Sequence, residues 1–252
     1  MSQSPRVPFH FHAHAQALGG DFRHPLWAVV PAQASASLPT VGGHATTESR
    51  DFHFQDFIHF KLAHTHISGK QHRNGTFVTH ASTTVTGLNI LGRITADRIV
   101  SRLTSIHVPD DPEGHIVADD SRFEGLKIDG FDVKVTLRHN LLINAKTYDA
   151  LAQSLASDSK SGKIASIHKD RKVAVCSLVE KIETKLPGVD AKRHLIEIKG
   201  FGKIFLAEIF AEPGTRTLTM LHLELGSPHV ASLAVAESVT NGQTGPPAGI
   251  GG

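Results

Sequence analysis

Cysteine is almost missing: Cys176 is the only one among 252 residues. No disulfide can close within one chain, and no cysteine-based zinc or iron–sulfur site can form there. The residue sits in the apolar run Val173-Ala174-Val175-Cys176-Ser177-Leu178-Val179, which reads as a buried structural thiol rather than a nucleophile. Long apolar runs are missing too, since no stretch reaches the ~18 residues of a membrane helix. Met1 to Pro8 lacks the basic-then-apolar pattern of a secretory signal. The expectation is a soluble protein without a membrane span, cytoplasmic by default, with export by a route other than a signal peptide left open.

Charge of one sign is also scarce. The 26 Lys and Arg are interleaved with 24 Asp and Glu, for a formal charge of +2, which argues against a nucleic-acid surface. Signatures of catalysis are absent from the sequence as well: it has no Gly-x-Ser-x-Gly elbow and no Gly-x4-Gly-Lys-Ser/Thr phosphate loop. Gly200-Phe201-Gly202-Lys203 begins like a dinucleotide motif but lacks the third glycine, and reads as a turn. The acid pairs Asp110-Asp111 and Asp119-Asp120 lack the calcium-loop spacing and read as solvated loops.

What the chain has is alternation. Phe9-His10-Phe11-His12-Ala13-His14-Ala15 puts Phe and Ala on one face of a strand and His10, His12 and His14 on the other. Phe52, Phe54, Ile58, Phe60 and Leu62 keep one parity, with Asp56 interrupting, so a bulge or break is expected near Asp56-Phe57. Further strands are expected at Trp27 to Ser37, Thr76 to Leu88, Arg93 to Leu103, Phe123 to Ile128, Lys172 to Ile182, His194 to Lys199, Lys203 to Ala211 and Arg216 to Leu225. Asp129-Gly130 and Glu212-Pro213-Gly214-Thr215 are hairpin signals. One segment, near 147–156, is helical by spacing: Tyr148, Leu151, Ala152 and Leu155 recur at i, i+3, i+4 and i+7, with Thr147 as cap.

These elements predict an all-β fold, a predominantly antiparallel sandwich or barrel with one short helix. The expected organisation is a flexible N-terminus at 1–8, a β-rich domain over 9–240 with a candidate subdomain boundary at 157–171, and a disordered tail over 241–252, which holds five Gly and two Pro. Two segments, Val85 to Asp97 (VTGLNILGRITAD) and Leu218 to Pro228 (LTMLHLELGSP), resemble stretches in uncharacterised bacterial β-rich proteins. That resemblance implies a bacterial source and sheet structure, and no function.

Histidine is the excess: 18 residues, eleven of them in the first eighty. Imidazole binds zinc, nickel and copper, and alternate strand positions present rings on one face. His10, His12 and His14 meet that condition, as do His64 and His66, with His59, His72 and His80 near in sequence. The His-x-His pattern is shared with cupin metal sites, but those need a glutamate shortly after it, and Ile67-Ser68-Gly69-Lys70 follows His66. Two functions stay open: a non-enzymatic structural or interaction module that self-associates through sheet edges or faces, and a histidine-based metal-binding protein or metal-dependent enzyme. His222 alternates with leucines beside Glu224, and a modestly raised pKa is expected for it.

Overall fold

The computed structural model describes residues 9–109, 111, 113–157, 166–168, 170, 172–187, 189–192 and 194–244. The N-terminus 1–8, most of the boundary expected at 157–171, and residues 245–252 lie outside them. The chain opens with β1 (Phe9–Phe22), β2 (Ala28–Gln33) and β3 (Ala36–Ser37). Four long strands follow: β4 (Gly43–Phe54), β5 (Ile58–Gln71), β6 (Phe77–Ile90) and β7 (Ile94–His107). Then come β8 (His115–Val117), β9 (Arg122–Glu124), β10 (Lys127–Ile128) and β11 (Phe131–Leu137), and helices α1 (Asn140–Asn144) and α2 (Tyr148–Ser157). The last third holds β12 (Ser166–His168), β13 (Val173–Ser177), β14 (Val179–Thr184), β15 (Val189–Lys192), β16 (Leu195–Ile198), β17 (Gly202–Glu212), β18 (Thr215–Leu225) and β19 (Ala231–Thr244).

The strands form two antiparallel sheets packed face to face. The first runs β12-β13-β17-β18-β19-β1-β2 and the second β14-β11-β10-β7-β6-β5-β4. Of the two architectures the sequence allows, this is the sandwich. On β1 the expected alternation holds at first: Phe11, Ala13 and Ala15 are buried while His10 and His12 are exposed.

Both sheets then change parity along one transverse row. In β1 the inward positions pass from Ala13, Ala15 and Ala17 to Leu18, and in β19 from Leu233 and Val235 to Ala236, Ser238 and Thr240. In β18 they pass from Leu223 and Leu221 to Met220 and Leu218, and in β17 from Ile204 and Leu206 to Ala207 and Ile209. The second sheet repeats this at Asp51, Lys61, Gly87 and Asp97 in β4 to β7. Pairing register survives the row: Leu206 stays opposite Leu221 and Glu208 opposite Thr219. Positive φ angles absorb the change on alternate strands, 47° at Ala207, 52° at Ala236, 47° at Asp51 and 67° at Gly87. Such local irregularity bends and twists a sheet without ending it.

A large cluster around Phe22, Phe60, Ile94, Ile99, Leu151, Leu206 and Leu221 fills one half of the sandwich. A smaller one, built on Phe11, Ala13, Ala15, Ile67 and Ala81, fills the other. Each fully buried Leu, Ile or Phe contributes about 1.5–3 kcal/mol. Buried Thr65, Thr83, Ser101, Ser238 and Thr240 also face inward, and the Thr65 and Thr83 hydroxyls hydrogen-bond at 3.1 Å. Side chains this small let Cα atoms of β1 and β19 come within 8 Å of those of β6, closer than the ~10 Å usual for stacked sheets.

Helix α2 forms where the spacing predicts it. Tyr148, Leu151 and Leu155 are buried, and Thr147 Oγ1 accepts from Ala150 N at 3.2 Å as the cap. The five-residue α1 is too short to leave a periodic signal. The Asp129-Gly130 hairpin forms with both residues at positive φ, 49° and 79°, as a two-residue connection requires.

Of the bulge or break expected near Asp56-Phe57, the structure has the break: β4 ends at Phe54 and β5 starts at Ile58, so the two halves of that apolar series face each other across a hairpin. Three other expectations are corrected. The strand expected over Lys172 to Ile182 is two strands in different sheets. β13 pairs with β17, fully buried Leu178 crosses the core, and β14 pairs with β11. Continuous hydrophobicity hid the break, because a chain crossing a core is as apolar as a strand within it. The tail expected over 241–252 gives up its first four residues to β19, where Asn241 stands opposite His12 and Thr244 opposite Phe9. Backbone pairing holds a segment whose composition alone reads as disorder. Finally, Trp27 to Ser37 is not one strand but β2 and β3, interrupted at Ala34, where φ is 44°.

Candidate functional site

His10, His12 and His14 lie on β1 and face away from the core, on the outer surface of the first sheet. His64 and His66 lie on β5 and face away from it on the outer surface of the second. The inward neighbours fix this: Phe11, Ala13 and Ala15 pack in one cluster with Ile67 and Ala81. The two groups of the histidine reading therefore occupy opposite faces of the sandwich. Among the described residues no three histidine, cysteine or acidic side chains form a group able to hold a metal. His14 Nδ1 instead hydrogen-bonds Ser37 Oγ at 3.0 Å.

Histidines gather on the second sheet in a way the linear spacing concealed. Pairing register places His44 opposite Ser68 and Ser68 opposite His80; Thr46 opposite His66 and His66 opposite Ser82; Glu48 opposite His64 and His64 opposite Thr84; and His53 opposite His59 and His59 opposite Asn89. The rows continue onto β7 with Thr104, Arg102, Val100 and Thr95. The result is a face of imidazoles and hydroxyls carrying His44, His53, His59, His64, His66 and His80. His44, Thr46, Glu48, His53, His59 and His64 are exposed.

Hydroxyls and carbonyls orient several of these rings. His66 Nδ1 hydrogen-bonds Thr46 Oγ1 at 3.2 Å, and His80 Nδ1 hydrogen-bonds Thr104 Oγ1 at 3.0 Å. Their ring centroids are 6.0 Å apart. Burial, with Arg102 and His66 adding to it, pushes the His80 pKa down to about 4. His53 and His59 are closer, with centroids 5.6 Å apart and planes 19° from parallel. His53 Nδ1 donates to the Asp51 carbonyl at 3.0 Å. A carbonyl oxygen can only accept, so the proton sits on Nδ1 and the Nε2 lone pair is left free.

A second polar cluster sits on the bend row of the first sheet. Glu208 and Glu237 each directly follow a positive-φ alanine. Glu208 Oε2 pairs with His222 Nδ1 at 3.1 Å, and its Oε1 lies 4.0 Å from His194 Nε2. Glu237 accepts from Gln16 Nε2 and from Thr219 Oγ1, both at 3.2 Å. The His222 pKa is raised, as expected from the sequence, but the largest cause is the hydrogen bond to Glu208 on β17, and Glu224 contributes less. These carboxylates are occupied by partners within the sheet, which suits a bracing role at the bend.

The remaining candidates are quieter. Cys176 is 3% exposed, and burial lifts its thiol to about 12. A cleft of about 240 Å³ at one end of the sandwich is lined by Leu91, Arg93, Phe201 and Pro228 among others. Arg93 is spent there on Asp129, with two contacts of 2.6 Å, and on the Phe201 ring at 4.1 Å. Gly200-Phe201-Gly202 is the turn between β16 and β17, as the sequence implies.

The fold defines the class first: a two-sheet antiparallel sandwich with two short helices, in which no helix among the described residues is long and apolar enough to cross a membrane. Within that class the chain belongs to the family described as Domain of unknown function (DUF8256), whose model matches residues 9–172 and 144–212. The matched region ends with β17, so β18 and β19 complete the first sheet beyond it. No curated protein and no solved structure matches the chain.

The signal for the second-sheet histidines was available in hindsight. Phe52-His53-Phe54 and Ile58-His59-Phe60 are mirror images about a three-residue connection, and folding them as a hairpin sets His53 against His59. The Glu208 pairing had no such signal, because fourteen residues and a parity change separate it from His222.

Proposed function

We propose that this protein is a non-enzymatic interaction module that self-associates through the outer face of its second sheet. The observation carrying this reading is the ordered face itself: rows of imidazole and hydroxyl across β4 to β7. Its charges are of both signs and interleaved. Glu48 pairs with Arg50 on β4, Arg102 with Asp120, and Arg122 with Glu124. Such a face suits a copy of itself related by a two-fold axis, where acid meets base.

Light scattering on the eluting protein tests this. The expected result is a mass above that of the 27.1 kDa chain at micromolar concentration, returning to the monomer in the doubly substituted His64→Glu, Thr84→Glu protein. A wild-type mass of one chain at every concentration would sink the proposal.

Histidine-based binding of zinc, nickel or copper is the second reading. It is favoured by one specific observation, the fixed tautomer of His53.

A further inference from the structure

The geometry points to a two-imidazole binding site for a divalent transition metal, formed by His53 on β4 and His59 on β5. It goes beyond the self-association proposed above and does not depend on it. Neither residue belongs to a His-x-His pair, and they meet only because the β4–β5 hairpin sets them directly opposite.

Three features combine at this pair. The first is spacing. A metal about 2.0–2.1 Å from each Nε2 lies about 3.2 Å from each ring centroid, so two imidazoles at angles between tetrahedral and trigonal have centroids about 5.2–5.5 Å apart. The observed 5.6 Å lies just outside that range. The second is tautomer. The Asp51 carbonyl holds the proton on His53 Nδ1, the arrangement by which a ligating histidine is ordinarily oriented and made more basic. Asp51 itself lies at φ 47°, on the bend row, so the bend aims the carbonyl that sets the ring. The third is availability. Both rings are exposed, and among the described residues His59 makes no hydrogen bond that a metal would have to displace.

The ligand class follows from the donors. Two neutral imidazoles without a nearby thiolate select borderline cations, copper(II), nickel(II) and zinc(II), over calcium or magnesium, which take oxygen ligands. Two protein ligands leave the other coordination positions to water, so the site is an open one.

His66 and His80 form a looser pair by comparison. Their centroids are 6.0 Å apart and their planes 44° from parallel, and each Nδ1 is bonded to a hydroxyl that can donate or accept. They serve as the internal control.

The test uses the full untagged chain and copper(II) at half an equivalent, read by electron paramagnetic resonance and by isothermal titration with a competing chelator. We expect a spectrum with two coordinated imidazole nitrogens. His53→Ala and His59→Ala should each lower the affinity of the first equivalent at least tenfold and remove one nitrogen from the spectrum, whereas His66→Ala should change neither. Both test side chains are exposed, so circular dichroism and thermal midpoint should match wild type in each variant. Unchanged affinity and spectrum in the His53 and His59 variants would overturn the proposal, because the copper would then be held adventitiously by other histidines. Light scattering on the same samples separates this outcome from a failure of the self-association reading.

Discussion

Arg216 and Glu113 form an ion pair with its cation buried, Arg216 Nη2 lying 3.2 Å from Glu113 Oε1 and the arginine side chain only 1% exposed against 12% for the glutamate. Glu113 does more than neutralise it. Oε1 also accepts from Gly214 N at 2.7 Å, in the β17–β18 turn, and Oε2 accepts from Tyr148 N at 2.8 Å, at the start of α2. One carboxylate thus ties a hairpin, a buried cation and a helix N-terminus together, where negative charge is also favoured by the helix dipole. Burial pulls the Arg216 pKa down and Glu113 opposes that pull.

Glu113→Ala should therefore cost about 3–5 kcal/mol, because it strands a buried charge and leaves two backbone donors without an acceptor. The double variant Glu113→Gln, Arg216→Met should lose less than Glu113→Ala alone. Urea denaturation of both variants checks this, and a double variant less stable than the single one would contradict it.

The His222–Glu208 pair makes stability depend on pH. The folded pKa of His222 is raised, chiefly by the Glu208 hydrogen bond, so the fold favours the protonated ring. Its contribution is complete below the ordinary imidazole value of about 6.5 and is lost as pH rises through the higher folded value. Glu208→Gln should cost about 1 kcal/mol at pH 6 and progressively less in alkali. Denaturation curves at pH 6 and pH 9 give the comparison, and equal losses at the two would refute it.

His80 has the opposite sign. Its pKa is pushed down to about 4, first by burial, then by Arg102 and His66, so the fold favours the neutral ring. The unfolded chain takes up a proton from about pH 6.5 downward, and stability should fall between there and pH 4. His80→Gln should flatten that slope. Nuclear magnetic resonance of the ring nitrogens should show His80 neutral at pH 5, and Arg102→Met should shift its titration upward.

At the bend row, Ala207 is fully buried with φ at 47°, a conformation that costs an L-residue roughly 1–2 kcal/mol and glycine nothing. Ala207→Gly should leave stability unchanged or raise it by up to about 1 kcal/mol. Ala207→Val, with a second branch on Cβ, should lower it by more than that. Thermal unfolding of the pair decides the matter, and a valine variant as stable as glycine would show that the φ carries no strain.

Local rules made much of the fold readable. Period-two alternation located β1, β5 and β18, paired turn residues located the Asp129-Gly130 and Pro213-Gly214 hairpins, and helical spacing located α2 with its Thr147 cap. What escaped was set by partners distant in sequence. The parity change at Leu206-Ala207, Met220-Leu221 and Val235-Ala236 shows locally only as two adjacent apolar residues, a pattern equally suited to a strand buried on both faces, and the positive φ of Ala207 and Ala236 has no signal of its own. The early part of β4, His44 to Arg50, is too polar on both faces to read as a strand alone, and β19 loses its alternation at Val235-Ala236 before ending in polar residues. The candidate face was half legible: histidine excess and strand parity gave His64 and His66, but their neighbours His44, His53 and His80 depended on register.

β1 and β19 run side by side from Phe9 opposite Thr244 to Phe22 opposite Ala231, although roughly two hundred residues separate them along the chain. A polypeptide emerging from the ribosome makes β4 to β7 in succession, and these can zip together as they appear. The other wall must wait: β1 has one neighbour missing until β19 has been made, and non-local pairing of this kind is intrinsically slow. The growing chain thus leaves the edge of β1 beside Phe11, Ala13 and Ala15 open until β19 pairs with it. Pulse-labelled hydrogen exchange during refolding should find the amides of β5 and β6 protected before those of β1.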